Sequence, residues 1–158
     1  KLTSKDANPI LDFIFTADPT AIVHDGRLYV YGTNDQQQYE AVGRDGRNTY
    51  EYIKTLVMMS TDDMVNWTYH GLIKTDSIAP WIVASWAPSI VKRKEKDGKT
   101  HFYLYFSNGG VGTAVLTSTS PARSTKALST GTIPSWVTVG FLSTPEPSLI
   151  TKVSGGWP

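Results

Sequence analysis

Apolar and polar positions along the chain alternate in short runs broken by Gly, Asp and Asn, and no long stretch keeps a 3.6-residue apolar period. The segment "AIVHDGRLYVYGT" predicts a strand over 21–24, a tight turn at Asp25-Gly26 and a second strand over 27–32. An Asp-Gly pair between two apolar runs favours a type I′ turn, whose two central residues both need positive φ. "TLVMMST" (55–61) predicts a third strand and "NWTYHGLI" (66–73) a fourth. The fold class expected is all-β.

The same pattern then returns. "ADPTAIVHDGRLYVYGT" is echoed by "WAPSIVKRKEKDGKTHFYLYFS" (86–107): a residue, a proline and a small-apolar strand lead to a Gly-containing turn and a Tyr-rich strand. Pro19 and Pro88 lie 69 positions apart, and "LVMMSTDDMVNW" (56–67) is followed in register by "AVLTSTSPARS" (114–124). Four short strands per repeat is the pattern of a β-propeller blade. A weaker third start, "EPSLITKVSGGWP" (146–158), repeats the Pro-Ser-apolar-apolar order. Rings of this kind hold about four to eight blades, so the expectation is an incomplete propeller of two blades and a fragment. Blade one is placed at about 15–75, blade two at about 84–121, and an atypical tail at 122–158.

Composition changes this picture little. The 158 residues hold five Trp, eight Tyr and five Phe among Val, Ile, Leu and Thr, which suits sheets. Lys and Arg number 15 against 14 Asp and Glu, a balance that argues against nucleic acid or a membrane surface as partner. The basic run "KRKEKDGK" (92–99) carries its own acids and a Gly, and reads as a solvated turn. Cysteine is absent, which excludes disulfides and CxxC sites. No apolar segment approaches 18 residues and no signal-like start opens the chain. The expectation is a soluble protein, extracellular or periplasmic in a bacterial-type cell as the mature form of an exported protein, with a cytoplasmic location left open. His24, His70 and His101 lack metal-ligand spacing, so no metal site is assigned. "GGVGT" (109–113) has no Lys-Ser/Thr after it and reads as a strand connection. "NWT" (66–68) is a formal glycosylation sequon, but Trp67 is expected to be buried.

Asp18 poses the chemical question. It stands beside Pro19 just before an apolar run, where desolvating a carboxylate is costly. From spacing alone, an Asp-Pro surface turn is the commoner reading.

The ordered set "NPIL" (8–11), "ADPTAIVHDGRLYVYGTND", "MSTDDMVNW" (59–67), "WAPSIV" (86–91) and "FYLYFSNGGVGTAVLTSTSP" (102–121) resembles the amino-terminal part of family 43 glycoside hydrolases. These are five-bladed β-propellers that include arabinofuranosidases, β-xylosidases and arabinanases. The resemblance covers about residues 8–121 and is strongest to members acting on arabinose side chains or xylose units of plant xylan. It implies an inverting general acid/base glycosidase that needs no cofactor, with calcium possible as a structural ion in the complete propeller. It also implies Asp18 as general base, at the channel end of the innermost strand. Inversion sets two carboxyl groups about 6.5–9.5 Å apart, one activating water and one protonating the leaving oxygen.

The acid falls on a later blade in the family. Glu146, before Pro147, is the candidate within this chain; by repeat register it stands where a third, pKa-tuning carboxylate belongs, and its neighbours loosely match the acid's context. An ordinary exposed glutamate is the competing reading. After "STSP" the family's Gly-Pro-Trp is replaced by "ARST", and the blade pattern fades. The expectation is a truncation, a splice or an altered reading frame near residue 121.

Sugars stack on indole faces, which makes Trp86 and Trp81 candidate pocket walls, with core packing as the alternative. Ser89 stands where many relatives carry an Asp. Asn34, Asp35 and Asn108 follow outgoing strands and are candidate contacts for sugar hydroxyls, with turn capping as the alternative for Asn34 and Asn108. Two functions of different class follow: a glycosidase acting on an oligo- or polysaccharide through Asp18, or a catalytically incomplete fragment that binds carbohydrate or forms homo-oligomers through open blade edges. A further 150 or so residues of encoded chain would favour the first.

Overall fold

The structure is a computed structural model that describes residues 2–3, 9–122 and 137–142. Two antiparallel sheets carry the chain. The first is five-stranded in the order β1-β5-β4-β3-β2: Leu2–Thr3, Asn66–Lys74, Thr55–Thr61, Arg27–Thr33 and Ala17–His24. The second is a four-stranded meander, β6 (Trp86–Lys94), β7 (Thr100–Ser107), β8 (Thr113–Ser118) and β9 (Val137–Leu142). The all-β expectation holds, and the four strands predicted between 21 and 73 appear with ends shifted by a few residues. Asp25 and Gly26 turn the first hairpin with φ of 48° and 73°, as a type I′ turn requires.

Three features differ from the sequence reading. The fourth strand of the second sheet comes from Val137–Leu142, inside the stretch assigned to an atypical tail. Two short helices, α1 (Asp35–Val42) and α2 (Thr75–Ile78), interrupt the connections. The first sheet carries a fifth strand, β1, paired to β5, where four were expected. The described strands form two sheets and no closed ring, in line with an incomplete propeller.

Period-two patterning decides which faces are buried. On β7, Phe102, Leu104 and Phe106 point inward while Tyr103 and Tyr105 remain partly exposed. Those inward residues meet Tyr31, Leu56, Met58 and Ile73 of the first sheet, and Ala79 and Ile82 of the connection fill the core between the sheets. All seven residues of β4 are buried, because the opposite face of the first sheet is covered too. There Val57, Met59 and Trp67 pack under Leu11, with Ile10 and Ile14 beside them. Each large side chain buried this way contributes roughly 1.5–3 kcal/mol.

The inner strands of the two sheets, β2 and β6, run side by side. Thr20 Oγ1 accepts the Ile90 N–H at 3.2 Å, and Lys92 Nζ donates to the Val23 carbonyl at 2.6 Å. This pairing brings the first residues of β2 and β6 to one end of the molecule.

Candidate functional site

That shared end collects nearly every residue singled out from the sequence. Ala17 opens β2 opposite Thr33, the last residue of β3, and Trp86 opens β6 opposite Ser107, the last of β7. Asn34 and Asp35 continue from β3, and Asn108 continues from β7. The Ala87 N–H donates to Thr33 Oγ1 at 3.1 Å and closes the gap between the sheets.

Asp18 occupies a bulge. Pairing of β2 with β3 loses register between Ala17 and Thr20, and Asp18 has φ of 49°. Bulges re-aim side chains at sheet margins, and left-handed backbone at a non-glycine residue is strained. The chain makes room with Gly32. A Cβ there would overlap the Thr16 hydroxyl and sit 3.1 Å from the Ala17 carbonyl. Asp18 is exposed to solvent. No desolvation cost arises: the apolar part of β2 begins after the bulge, which lifts the carboxylate clear of the core.

Asp35 is partly buried at the start of α1. Burial, and then the charge of Asp18, hold its carboxyl above the ordinary carboxylate range; bonds from its own N–H and that of Ala17 pull the other way. Its Oδ2 is buried without a hydrogen-bond partner. Asn34 is 2% exposed. Its Nδ2 donates to Thr55 Oγ1 at 2.8 Å, while its Oδ1 is unpartnered. Asn34 thus fastens the end of β3 to β4; its side chain makes no capping bond at the start of α1.

The two tryptophans differ. Trp86 is half-buried; its Nε1 donates to the Tyr50 carbonyl at 2.9 Å, and the rings meet edge to face at 6.2 Å. Trp81 is exposed and, with Val83, Val111 and Asn108, lines a shallow apolar depression of about 290 Å³. Asn108 itself is 1% exposed. Its Oδ1 accepts the N–H groups of Val83 (2.7 Å) and Ala84 (3.1 Å), and its Nδ2 donates to the Trp81 carbonyl at 3.2 Å. The expected sugar contact at Asn108 gives way to a bracket for the loop that presents Trp81. Glu146 lies outside the described residues.

Sequence reading missed the supports of this end. Thr33 braces Ala87, and Tyr50 anchors Trp86. The run Gln36-Gln37-Gln38 belongs to α1, where Gln37 Oε1 accepts from Lys54 N (3.0 Å) and Thr55 Oγ1 (2.8 Å) and Gln38 Oε1 from Tyr52 N (3.3 Å). Its amides hold the returning loop, a role that repeated polar residues in sequence do not announce. The histidines are dispersed: His24 packs edge-on to Phe102, His70 Nε2 lies 2.6 Å from Ser60 Oγ, and His101 pairs with Asp97 at 2.9 Å. Among the described residues no three His, Cys, Asp or Glu side chains cluster to hold a metal.

The chain as a whole is similar to known proteins. Over 125 residues the chain is 40% identical to an arabinoxylan arabinofuranohydrolase of Bacillus subtilis, covering 73% of this chain and 24% of that protein. A second arabinoxylan arabinofuranohydrolase, from Paenibacillus polymyxa, is 37% identical over 125 residues, 73% of this chain and 20% of its own length. The chain belongs to glycoside hydrolase family 43. The crystal structure of a family 43 arabinoxylan arabinofuranohydrolase from Bacillus subtilis, in complex with cellotetraose, superposes with a TM-score of 0.65 at 40% identity, over 73% of this chain and 25% of that one. An α-L-arabinofuranosidase from Clostridium thermocellum gives 0.51 at 42% identity, over 72% of this chain and 34% of its own. No protein-family model matches the chain. The chain spans about a quarter or less of the length of the curated family 43 relatives it matches first.

Proposed function

We propose that this chain supplies the first blades, and the general base, of a glycosidase that cleaves arabinofuranosyl or xylosyl linkages of plant arabinoxylan or xylan with inversion. In this reading residues of about 15–75 form the first blade of a five-bladed propeller, and the second begins at about 84. The observation that carries the proposal is the placement of Asp18: an exposed carboxylate on a strained bulge, at the end where Trp86, Trp81 and Asp35 gather. A carboxylate so placed can accept a proton from an attacking water. The names of the relatives support the saccharide class, and their greater length supports an acid contributed from further chain.

The test is Asp18→Asn in a form of the enzyme extended to the relatives' length. Hydrolysis of an aryl arabinofuranoside or aryl xyloside should fall by about 10²–10⁴-fold. Unchanged turnover would reduce Asp18 to a turn residue. Glu146→Gln in the same form decides whether Glu146 is the acid.

The open sheets favour a second property, self-association of the 158-residue chain. Val91 is exposed beside Tyr103 and Tyr105 on the outer face of the second sheet, and such surfaces invite pairing. A monomer by light scattering at crystallisation concentrations would count against it. The relatives' saccharide class also suits an exported enzyme; retention of activity in a cytosolic fraction would contradict that location.

A further inference from the structure

Among the described residues, the non-glycine positions with positive φ are Asp18, Asp25, Tyr50, Met64 and Ala87. Asp25 and Met64 lie in the hairpin turns between β2 and β3 and between β4 and β5, where tight reversal of the chain calls for such backbone. The other three gather at the opposite end, where β2 and β6 begin and β3 gives way to α1. Tyr50 belongs to neither inner strand. It sits in the loop of residues 43–54 that returns from α1 to β4, with φ of 61°. Left-handed backbone at a bulky residue is an outlier, and it persists only where the surroundings hold it. Here they do. Asn48 Oδ1 accepts the Tyr50 N–H at 3.1 Å, and the Tyr50 carbonyl accepts from Ile53 N (3.2 Å) and Trp86 Nε1 (2.9 Å). The Ser85 N–H donates to the Ile53 carbonyl at 2.9 Å, which ties the loop to the residue before β6. The bonds to Tyr50 all use its backbone. Its side chain remains open: the residue is 50% exposed, with its ring edge to face against the half-buried indole of Trp86. The bracing therefore fixes a ring that adds little to the core.

We propose that Tyr50 is a substrate-binding residue, a platform at the rim of the site for the sugar unit next to the one that is cleaved. The proposal rests on the reading of this end as a glycosidase site and deepens it. Depth decides which unit the ring meets. A sugar enclosed beside the reacting carboxylate buries the walls around it, whereas Tyr50 is more exposed than Trp86 and keeps half of its surface open. An aromatic face packs against the apolar face of a sugar without reading its hydroxyl pattern. Tyr50 thus selects for a second unit and not for the identity of the first. A ring held in advance by its backbone loses little freedom when that unit arrives.

NMR titrations of the 158-residue chain, followed at the Trp86 indole N–H, test this with an arabinoxylo-oligosaccharide and with free L-arabinose and D-xylose. Asparagine enters left-handed backbone readily, so Tyr50→Asn removes the ring and leaves the carbonyl in place to hold Trp86. The Kd for the oligosaccharide should rise by about 3–10-fold, the range of one aromatic contact. The Kd values for the monosaccharides should stay unchanged, and Tyr50→Phe, which keeps the face, should match the wild-type chain throughout. An oligosaccharide Kd that Tyr50→Asn does not move overturns the proposal. So does a monosaccharide Kd that rises in step with it, since the variant would then be acting through Trp86. A wild-type chain that binds the oligosaccharide no more tightly than the monosaccharides overturns it as well. Should Tyr50→Asn fail to fold, Tyr50→Gly, which also accepts positive φ, decides by the same comparison. Failure of the glycosidase reading looks different: the Tyr50 effects remain, yet Asp18→Asn leaves turnover of the extended enzyme unchanged.

Discussion

Asp18 and Ala87 hold the same backbone conformation, with φ of 49° and 46°, one step before Pro19 and Pro88 at the head of two neighbouring inner strands. The two sheets thus repeat a strained joint as well as a strand pattern. Only one copy carries a charge. The repeat supplies the geometry, and the side chain decides what it is used for.

Side chains tolerate this joint unequally, which gives a first prediction. Asn and Asp enter left-handed backbone more readily than other non-glycine residues, and β-branched residues least. Asp18→Asn should therefore change the unfolding free energy by less than about 0.5 kcal/mol. Ala87→Val should cost about 1–3 kcal/mol. Urea unfolding of the two variants checks both; equal midpoints would mean that the joint at Ala87 is relaxed.

Asn108→Ala tests the bracket under Trp81. Truncation leaves the Val83 and Ala84 N–H groups without their acceptor. An orphaned buried donor costs about 1–3 kcal/mol, so a loss of about 2–3 kcal/mol is expected. The indole should also become more mobile, seen as lower steady-state fluorescence anisotropy in a variant that retains Trp81 as its sole tryptophan. An unchanged unfolding midpoint would place the loop's support elsewhere.

Much of this was legible beforehand, for definable reasons. Asp25-Gly26 is a local signal, and the first hairpin followed from it; the strand over 102–107 was legible too, though its inward face of Phe102, Leu104 and Phe106 was not drawn. The repeat of Pro19 at Pro88 located the heads of both inner strands, but neither their bulges nor their left-handed backbone, which no periodicity encodes. Asn34 and Asn108 were misplaced toward the sugar because burial of an amide depends on a loop that arrives from elsewhere: Thr55 for one, Val83 and Ala84 for the other. Thr33 was invisible for the same reason. Its partner lies 54 residues away, and a threonine ending a strand resembles any other.

A network away from the site predicts how stability depends on pH. Arg27 Nε donates to Ser60 Oγ at 2.8 Å, and Ser60 Oγ lies 2.6 Å from His70 Nε2. Burial, then the Arg27 charge, hold His70 below its ordinary value of 6.5. The unfolded chain therefore takes up this proton at higher pH than the folded one. The contribution is fully present above about 6.5 and is lost as pH falls from there toward the depressed folded value. Asp63 and Asp97, both held below the usual carboxylate range by hydrogen bonds, act in a separate window below about pH 3.8. His70→Gln should flatten the decline in urea midpoint between pH 7 and pH 5. A decline that is equally steep in the variant would assign it to other groups.

The last prediction separates binding from turnover. Two indoles and an exposed carboxylate at one end give the 158-residue chain the means to hold a sugar face, and stacking on Trp86 and Trp81 needs no second carboxyl. Hydrolysis does. Inversion requires an acid across the scissile bond, about 6.5–9.5 Å from the base. The family resemblance puts that acid on a later blade, and Asp35, the second carboxyl at this end, is partly buried at the start of α1. The purified chain should therefore bind xylo- or arabinoxylo-oligosaccharides weakly, with quenched tryptophan fluorescence that Trp86→Phe reduces, and release no product from aryl glycosides. Conservation of the quench in Trp86→Phe would shift the binding face to Trp81. Sustained turnover by the chain alone, abolished by Asp18→Asn, would mean that an acid is supplied from outside the described residues or by a second copy, and Glu146→Gln mixed with Asp18→Asn would tell the two apart: activity restored in the mixture requires carboxyls from different chains.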